Sequence, residues 1–254
     1  MNWSMRQNSN QEAIEFAKEL KALFIESNSV ELVILPSMGT IYSMAEVFKD
    51  SQIEVGGQTI SQFKHGAYSG EYSIEALMDI GGKYVALGHW ERRSHFGETE
   101  EIINEKLHLA LENAIRPILC IGEKEKHGDI QDIDYQYVYL AIKRQIFNGI
   151  FNVRPKQLKE IVFAYTPRWA IGQSAAASRD HIHQVARLIR QILGELYEEQ
   201  LVAGVQLVYG GTVSYENTKW ITASKDIDGV LIGRFGSDPK QIMKIVNQLT
   251  RLEE

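Results

Sequence analysis

Several apolar runs in this chain end in polar or glycine residues, which is where an active site can be built. His89 ends the run "KYVALGH", and Glu91, Arg92 and Arg93 follow it within four positions. A histidine at such a position can act in catalysis or be satisfied within the core, and the adjoining charges favour a site. Other residues at the ends of such runs are Gln58, Glu123, Thr166, Gly210, Gly211 and Gly233.

The run "VQLVYGG" ends in a glycine pair that could bind an anion. Gly210 and Gly211 precede Thr212, and Gly233 ends the next apolar run. Glycines let backbone N–H groups approach phosphate oxygens closely, whereas a plain turn needs no second glycine nearby. We therefore interpret these residues as a phosphate-binding loop.

Residues 163–175 read "FAYTPRWAIGQSA" and resemble a mobile lid over an active site. Between Tyr165 and Ala175 the only charged residue is Arg168. We interpret Arg168 as a solvated loop charge and Trp169 as a packing anchor at the base of the lid. The lid itself therefore supplies no acid or base.

Seven short apolar runs alternate with longer amphipathic segments. The predicted strands are 31–36, 53–58, 83–89, 117–123, 160–165, 205–211 and 228–233, and the predicted helices are 11–26, 100–113, 133–147, 178–198 and 239–251. Asn10 and Asp238 are the predicted N-caps of the first and last helices. This alternation is typical of an α/β barrel or an open doubly wound sheet. No G-x-G-x-x-G follows a strand, and polar residues end nearly every strand, so the barrel is favoured, as one domain over residues 1–254.

Composition excludes several classes of function. The chain has 254 residues, is 44% hydrophobic and carries a net charge of −6 with no basic stripe, which argues against nucleic-acid and anionic-membrane partners. No apolar run reaches the ~20 residues of a membrane span. The single cysteine, Cys120, lies in "PILCIGE", which predicts a buried strand thiol in a protein of the reducing cytoplasm.

The order of short motifs along the whole chain resembles the triosephosphate isomerase family. The matching segments are "NWSM" (2–5), "GAYSGE" (66–71), "LGHWERR" (87–93), "FGE" (96–98), "PILCIGE" (117–123), "AYTPRWAIG" (164–172), "YGGTV" (209–213) and "DGVLIG" (228–233). The resemblance implies a (β/α)8 TIM barrel that interconverts dihydroxyacetone phosphate and glyceraldehyde 3-phosphate in glycolysis, without cofactor or metal. It also implies a homodimer formed through the Gly66–Glu71 loop.

The catalytic residues of that family are only partly present. Ser4 stands where the family has its catalytic Lys, and Thr166 stands where it has the Glu that removes a proton. His89 matches the electrophilic histidine, which works as a neutral imidazole. Gly233 is followed by Arg234 where the family has a second glycine, so Arg234 either fills the phosphate site or adds a contact to the anion; we favour the second. The other site residues that match by position are Asn2, Gly172, Gly210, Gly211 and Thr212.

Loss of both groups predicts an isomerase that is impaired or inactive, a pseudoenzyme that binds a phosphorylated ligand. The alternative is an active, divergent aldose–ketose isomerase for a related sugar phosphate, which needs a replacement base. Four carboxylates are near strand ends, but all match residues that the family keeps beside its own Glu: Glu71, Glu91, Glu98 and Glu123. We expect Glu91 to be buried in an ion pair with Arg92 or Arg93.

The resemblance also predicts a shortened first strand. Members of the family carry several apolar residues before the Asn-Trp pair, and here Met1 directly precedes Asn2. A shortened strand leaves backbone groups of its neighbours without partners at one end of the barrel.

Overall fold

The computed structural model describes residues 1–24, 29–126 and 135–250, in which seven strands form one parallel sheet. Each strand pairs with the next along the chain, from β1 to β7. The strands are β1 (Leu32–Ile34), β2 (Ile53–Gly57), β3 (Tyr84–Leu87), β4 (Arg116–Ile121), β5 (Val162–Tyr165), β6 (Gln206–Tyr209) and β7 (Gly229–Val230). All seven predicted strands are confirmed, within one residue of the predicted bounds or inside them.

Helices connect the strands, as right-handed β-α-β crossovers require. They are α1 (Asn10–Leu23), α2 (Ile41–Phe48), α3 (Ile74–Asp79), α4 (Trp90–His95), α5 (Glu100–Glu112), α6 (Tyr135–Gly149), α7 (Arg179–Leu196), α8 (Glu199–Val202), α9 (Tyr215–Ile221) and α10 (Pro239–Thr250). The five predicted helices correspond to α1, α5, α6, α7 and α10, and their predicted residues 25, 26, 133, 134 and 251 lie outside the described residues. None of the described helices is long and apolar enough to cross a bilayer.

One of the two predicted N-caps is wrong. Asn10 is the first residue of α1, and Ser9 is the cap, with an extended backbone and a side chain that accepts from the backbone N–H of Glu12. Asp238 is confirmed, because its Oδ1 accepts from the N–H of Lys240 at 2.8 Å. Both serine and asparagine are good caps, so the one-residue difference could not be read from residue type.

Residues 1–3 join the two edges of the sheet. The N–H of Asn2 donates to the carbonyl of Ile232 at 2.9 Å, on the β7 side. On the β1 side, the N–H of Trp3 donates to the carbonyl of Leu35 at 3.1 Å, and the N–H of Leu35 donates to Met1 at 2.7 Å. This parallel bridge takes the place of an eighth strand at the carboxyl ends of its neighbours. The chain therefore has the TIM-barrel architecture, as predicted. Residues 1–3, which precede β1, are its shortened first strand.

Two hydrophobic cores flank the sheet. The larger lies between the strands and the helices, and the smaller lies inside the barrel. The inner residues are Leu35, Tyr84, Ala86, Ile118, Cys120, Val162, Ala164 and Leu231. Cys120 is 1% exposed in β4, which confirms the predicted buried strand thiol, and burial raises the pKa of this thiol to about 12.

The opposite end of the barrel, at the amino-terminal ends of the strands, has an opening between β1 and β7. A cavity of about 760 Å³ lies there, and Leu32, Val33, Gly229, Val230 and Leu249 are among its lining residues. Since residues 1–3 bridge only the carboxyl ends of β1 and β7, the amino-terminal ends remain apart.

The chain turns sharply after Trp3, and Ser4 occupies the left-handed region at φ 50°. Three hydrogen bonds fix this conformation. The N–H of Ser4 donates to Asn2 Oδ1 at 3.0 Å, and its carbonyl accepts from Ser37 Oγ at 2.9 Å and from Gln58 Nε2 at 2.8 Å. A non-glycine residue held in this way stores strain at the carboxyl end of the barrel.

We expect Ser4→Gly to raise the free energy of unfolding by about 0.5–1 kcal/mol, because glycine avoids the left-handed penalty but loses more chain entropy. For a chain of this size the melting temperature should rise by roughly 1–4 °C. Thermal unfolding followed by circular dichroism measures this. Ser43→Gly, inside α2, is the control and should lower the melting temperature, because glycine is a poor helix former. A lower melting temperature for Ser4→Gly would show that the turn is unstrained.

Candidate active site at the carboxyl ends of the strands

A cavity of about 160 Å³ lies at the carboxyl ends of the strands. Every candidate site residue taken from the sequence lines it except Thr166. Those residues are Asn2, Ser4, His89, Gly172, Gly210, Gly211, Thr212, Gly233 and Arg234. They come from five separate parts of the chain, which the barrel brings together because the strand ends converge.

His89 lies beside a carboxylate at the wall of this cavity. It is the N-cap residue of α4, but its side chain makes no capping hydrogen bond. Its Nδ1 lies 3.4 Å from Glu91 Oε2, and Ser4 Oγ lies 3.5 Å from the same oxygen. The neighbouring imidazole of His89 is the main cause that lowers the pKa of Glu91, opposed by burial and assisted by Ser4 and by the charge of Arg6.

The prediction that Glu91 forms an ion pair with Arg92 or Arg93 is wrong. Arg92 Nε lies 3.7 Å from Glu98, and Arg93 pairs with Glu100. Both arginines therefore point away from the cavity toward the start of α5. Glu91, whose side chain is 40% exposed, is left to contact His89 and Ser4. Adjacent positions on a short helix face different directions, so sequence neighbours were a poor guide to pairing.

The other three carboxylates considered from the sequence do not line the cavity. Glu98 is buried and ion-paired with Lys106, and Glu71 is exposed on its loop. Glu123 is 1% exposed and accepts hydrogen bonds from Trp169 Nε1 at 2.7 Å and from Tyr165 Oη at 3.0 Å. Among the described residues that line the cavity, Glu91 thus supplies the one carboxylate.

Thr166 is turned away from the cavity. It is 4% exposed, and its hydroxyl donates to the carbonyl of Ile121 at 3.3 Å. Its methyl group packs on Gly210, where an added Cβ would come within 2.6 Å of Thr166 Cγ2. Because the Thr166 hydroxyl donates to a backbone carbonyl, no general base accepts its proton and activates it.

The glycines near the last two strands fall into two groups. Gly210 and Gly211 are required by packing, because a Cβ on Gly211 would lie 2.1 Å from Tyr209 Oη. At Gly233 an added Cβ would meet nothing nearer than Arg6 Nη1, at 3.9 Å. The space beside Gly233 is therefore open to a ligand rather than filled by protein.

The lid segment, residues 166–176, is docked over the cavity. The Thr212 hydroxyl donates to the carbonyl of Ala170 at 2.9 Å and lies 3.2 Å from that of Gln173. Arg234 also donates to the Gln173 carbonyl, and Trp169 fixes the base of the segment through Glu123. Trp169 is thus an anchor by hydrogen bonding as well as by packing. Arg234 reaches across the mouth to the lid and does not fill the space beside Gly233.

Motif comparison missed two residues of the cavity. Arg6 lines it, two positions beyond the missing Lys, where position-by-position matching did not look. Trp90 also lines it, and its buried indole N–H has no hydrogen-bond partner in the described structure. The interpretation of Arg168 as a solvated charge is wrong, because its guanidinium lies 5.6 Å from the centre of the Trp90 ring, at cation–π distance.

Comparison with known proteins agrees with this architecture. The family model described as "Triosephosphate isomerase" matches residues 1–249. Triosephosphate isomerase of Dictyoglomus turgidum is 36% identical over 248 residues, 96% of each chain. That of Carboxydothermus hydrogenoformans is 35% identical over 232 residues, covering 91% of this chain and 90% of the relative. "Probable triosephosphate isomerase 2" of Listeria monocytogenes is 32% identical over 244 residues, covering 96% and 93%. With a matching family model and a matching barrel, the chain belongs to the triosephosphate isomerase family.

Proposed function

We propose that this protein binds a small phosphorylated ligand and isomerises triose phosphates at least ~10⁴-fold more slowly than an ordinary family member. The observation that carries the proposal is Thr166. Its hydroxyl donates to Ile121 and its side chain lies outside the cavity, so the position that holds the family's base offers none.

The size of the loss follows from two missing groups. A positioned general base contributes ~10²–10⁴-fold, and a factor of ten is about 1.4 kcal/mol of barrier. A cation beside the developing enediolate contributes a further few kcal/mol, and Ser4 has none to offer. Arg6 lines the same cavity, and its guanidinium lies beside Gly233, where it would support anion binding.

We expect wild-type protein to show this deficit in a coupled assay with glyceraldehyde 3-phosphate. The double substitution Ser4→Lys and Thr166→Glu should raise kcat/KM by at least tenfold, because it restores the cation and the base. Ser4→Met with Thr166→Gln is the matched control and should give no gain. A wild-type kcat/KM near the diffusion limit would contradict the proposal.

Phosphate binding is supported by the charges at one end of the cavity. Arg6 and Arg234 both line it, and the space beside Gly233 is open, with Arg6 Nη1 3.9 Å from where a Cβ would lie. Guanidinium groups bind phosphate through paired N–H donors, and exposed cations make such binding sensitive to salt.

We expect isothermal titration calorimetry to detect weak, salt-sensitive binding of inorganic phosphate and of a triose phosphate analogue. Arg6→Ala and Arg234→Gly should each weaken binding by about five- to tenfold, the loss of roughly one exposed charge-assisted contact. Arg187→Ala is the control, because Arg187 is 76% exposed on α7. Tighter binding by Arg234→Gly would mean that the arginine blocks the site.

A homodimer formed through the Gly66–Glu71 loop is supported by exposed apolar side chains. Residues 64–71 are all exposed, and Phe63 and Tyr68 stack with their ring centroids 3.9 Å apart while each remains more than 40% exposed. Met5, next to the cavity residue Ser4, is 80% exposed. Exposed apolar groups of this kind mark interaction surfaces. We also place the protein in the cytoplasm, on the strength of its family and its buried thiol.

Sedimentation velocity should give the mass of a dimer for the wild type. Tyr68→Glu should shift the protein toward monomer, because a charge would be buried without a partner. Tyr215→Glu, at a comparably exposed tyrosine on α9, should leave the mass unchanged. A wild-type monomer at micromolar concentration would refute the dimer.

A further inference from the structure

Glu91 places a negative charge at the cavity wall. Among the described residues, no lysine or arginine nitrogen lies within ion-pair distance of its carboxylate. His89 Nδ1 lies 3.4 Å from Oε2, but this imidazole is a cation only when it is protonated. The pKa of Glu91 lies below its ordinary value, chiefly because of that imidazole, so the carboxyl group is ionised at neutral pH. When His89 is neutral, the carboxylate therefore has no partner of opposite charge.

Ser4 leaves room beside this carboxylate. Its Oγ lies 3.5 Å from Glu91 Oε2, and both residues line the cavity. By its resemblance to the family, position 4 is where a lysine is expected, which carries an ammonium group on a four-carbon stem. Serine ends in a hydroxyl on its first side-chain carbon. The space beside Glu91 can therefore take an ammonium group that the protein itself does not supply.

The positive charges of the cavity lie on the other side of its mouth. Residues 1–3 and the seven strands occupy eight positions around the barrel, and β3 and β7 are four positions apart. Glu91 follows β3, whereas Gly233 and Arg234 follow β7. Arg6 Nη1 lies 3.9 Å from where a Cβ on Gly233 would be. The cavity is thus positive on its β7 side and negative on its β3 side.

We propose that the ligand of this cavity is a small phosphorylated primary amine whose ammonium group pairs with Glu91. Its phosphate binds beside Gly233, on the side of Arg6 and Arg234. This inference rests on the proposed binding of a phosphorylated ligand and names the class of that ligand. Charge-assisted hydrogen bonds form at both ends of such a molecule, whereas a second anionic group would be repelled by Glu91.

The size of the cavity limits the length of the ligand. Its volume of about 160 Å³ is well below the ~300–1,000 Å³ of pockets that take drug-sized molecules. A chain of two or three carbons between phosphate and nitrogen meets this limit, and 2-aminoethyl phosphate is the simplest such compound. Triose phosphates carry no positive charge, so they would leave Glu91 without a partner.

The first test compares three phosphate esters of matched length by isothermal titration calorimetry at neutral pH. They are 2-aminoethyl phosphate, 2-hydroxyethyl phosphate and carboxymethyl phosphate. The amine should bind about three- to tenfold more tightly than the alcohol, because it adds one partly exposed charge-assisted contact. The carboxylate should bind most weakly. Binding of the amine no tighter than that of the alcohol would overturn the proposal.

The second test locates the ammonium group. Glu91→Gln keeps the shape of the side chain and removes its charge, so the preference for the amine should disappear while the alcohol still binds. Ser4→Lys should also remove the preference, because its own ammonium group takes the place beside Glu91. Ser4→Ala keeps that space open and should retain the preference. Glu105→Gln, at an exposed carboxylate on α5, is the control and should behave as the wild type. A preference that survives in Glu91→Gln would overturn the proposal.

These measurements separate the inference from the proposed function. Failure of all three esters to bind would contradict the phosphate site, and the amine class with it. Equal binding of the three would support the phosphate site and contradict the amine class alone.

Discussion

The site depends on the backbone hydrogen bonds of residues 1–3 to the two edges of the sheet. Asn2 bonds to Ile232, and Trp3 bonds to Leu35, so two strands that would otherwise be edges share one short segment. Unpaired strand edges are costly, and closing them brings all the strand ends to one mouth. The same segment then turns at Ser4, and this turn brings Arg6 to the space beside Gly233. The hydrogen bonds of residues 1–3 therefore close the barrel and also position one wall of its cavity.

Most of the fold could be predicted because it depends on apolar runs and their spacing. Strands buried on both faces are continuous apolar segments, and long helices are amphipathic; both patterns are local in sequence. The short helices α2, α3, α4 and α9 escaped, since six to eight residues carry too little periodicity. The first cap was missed for a related reason, because Ser9 and Asn10 are equally good caps and only backbone geometry separates them.

The residues of the site could be located from the sequence, but their partners could not. Strand ends and the family resemblance predicted which residues meet, and the cavity contains all of them except Thr166. Whether Glu91 contacts Arg92 or His89 depends on side-chain directions on a six-residue helix, which residue types do not encode. Arg6 and Trp90 were missed because motif comparison checks each catalytic residue of the family only at the equivalent position of this chain. A cation displaced by two residues can still reach the same space when the backbone turns between them.

The framework around the cavity is held largely by backbone groups, and this explains how catalytic side chains can change while the framework stays. Thr212 and Arg234 hold the lid through the carbonyls of Ala170 and Gln173, which any residue would present. Gly210 and Gly211 are fixed by contacts with Thr166 and Tyr209. The side chain at position 4 makes none of these contacts, and that at position 166 only packs on Gly210, so the lid and the glycine pair do not depend on a lysine at position 4 or a glutamate at position 166.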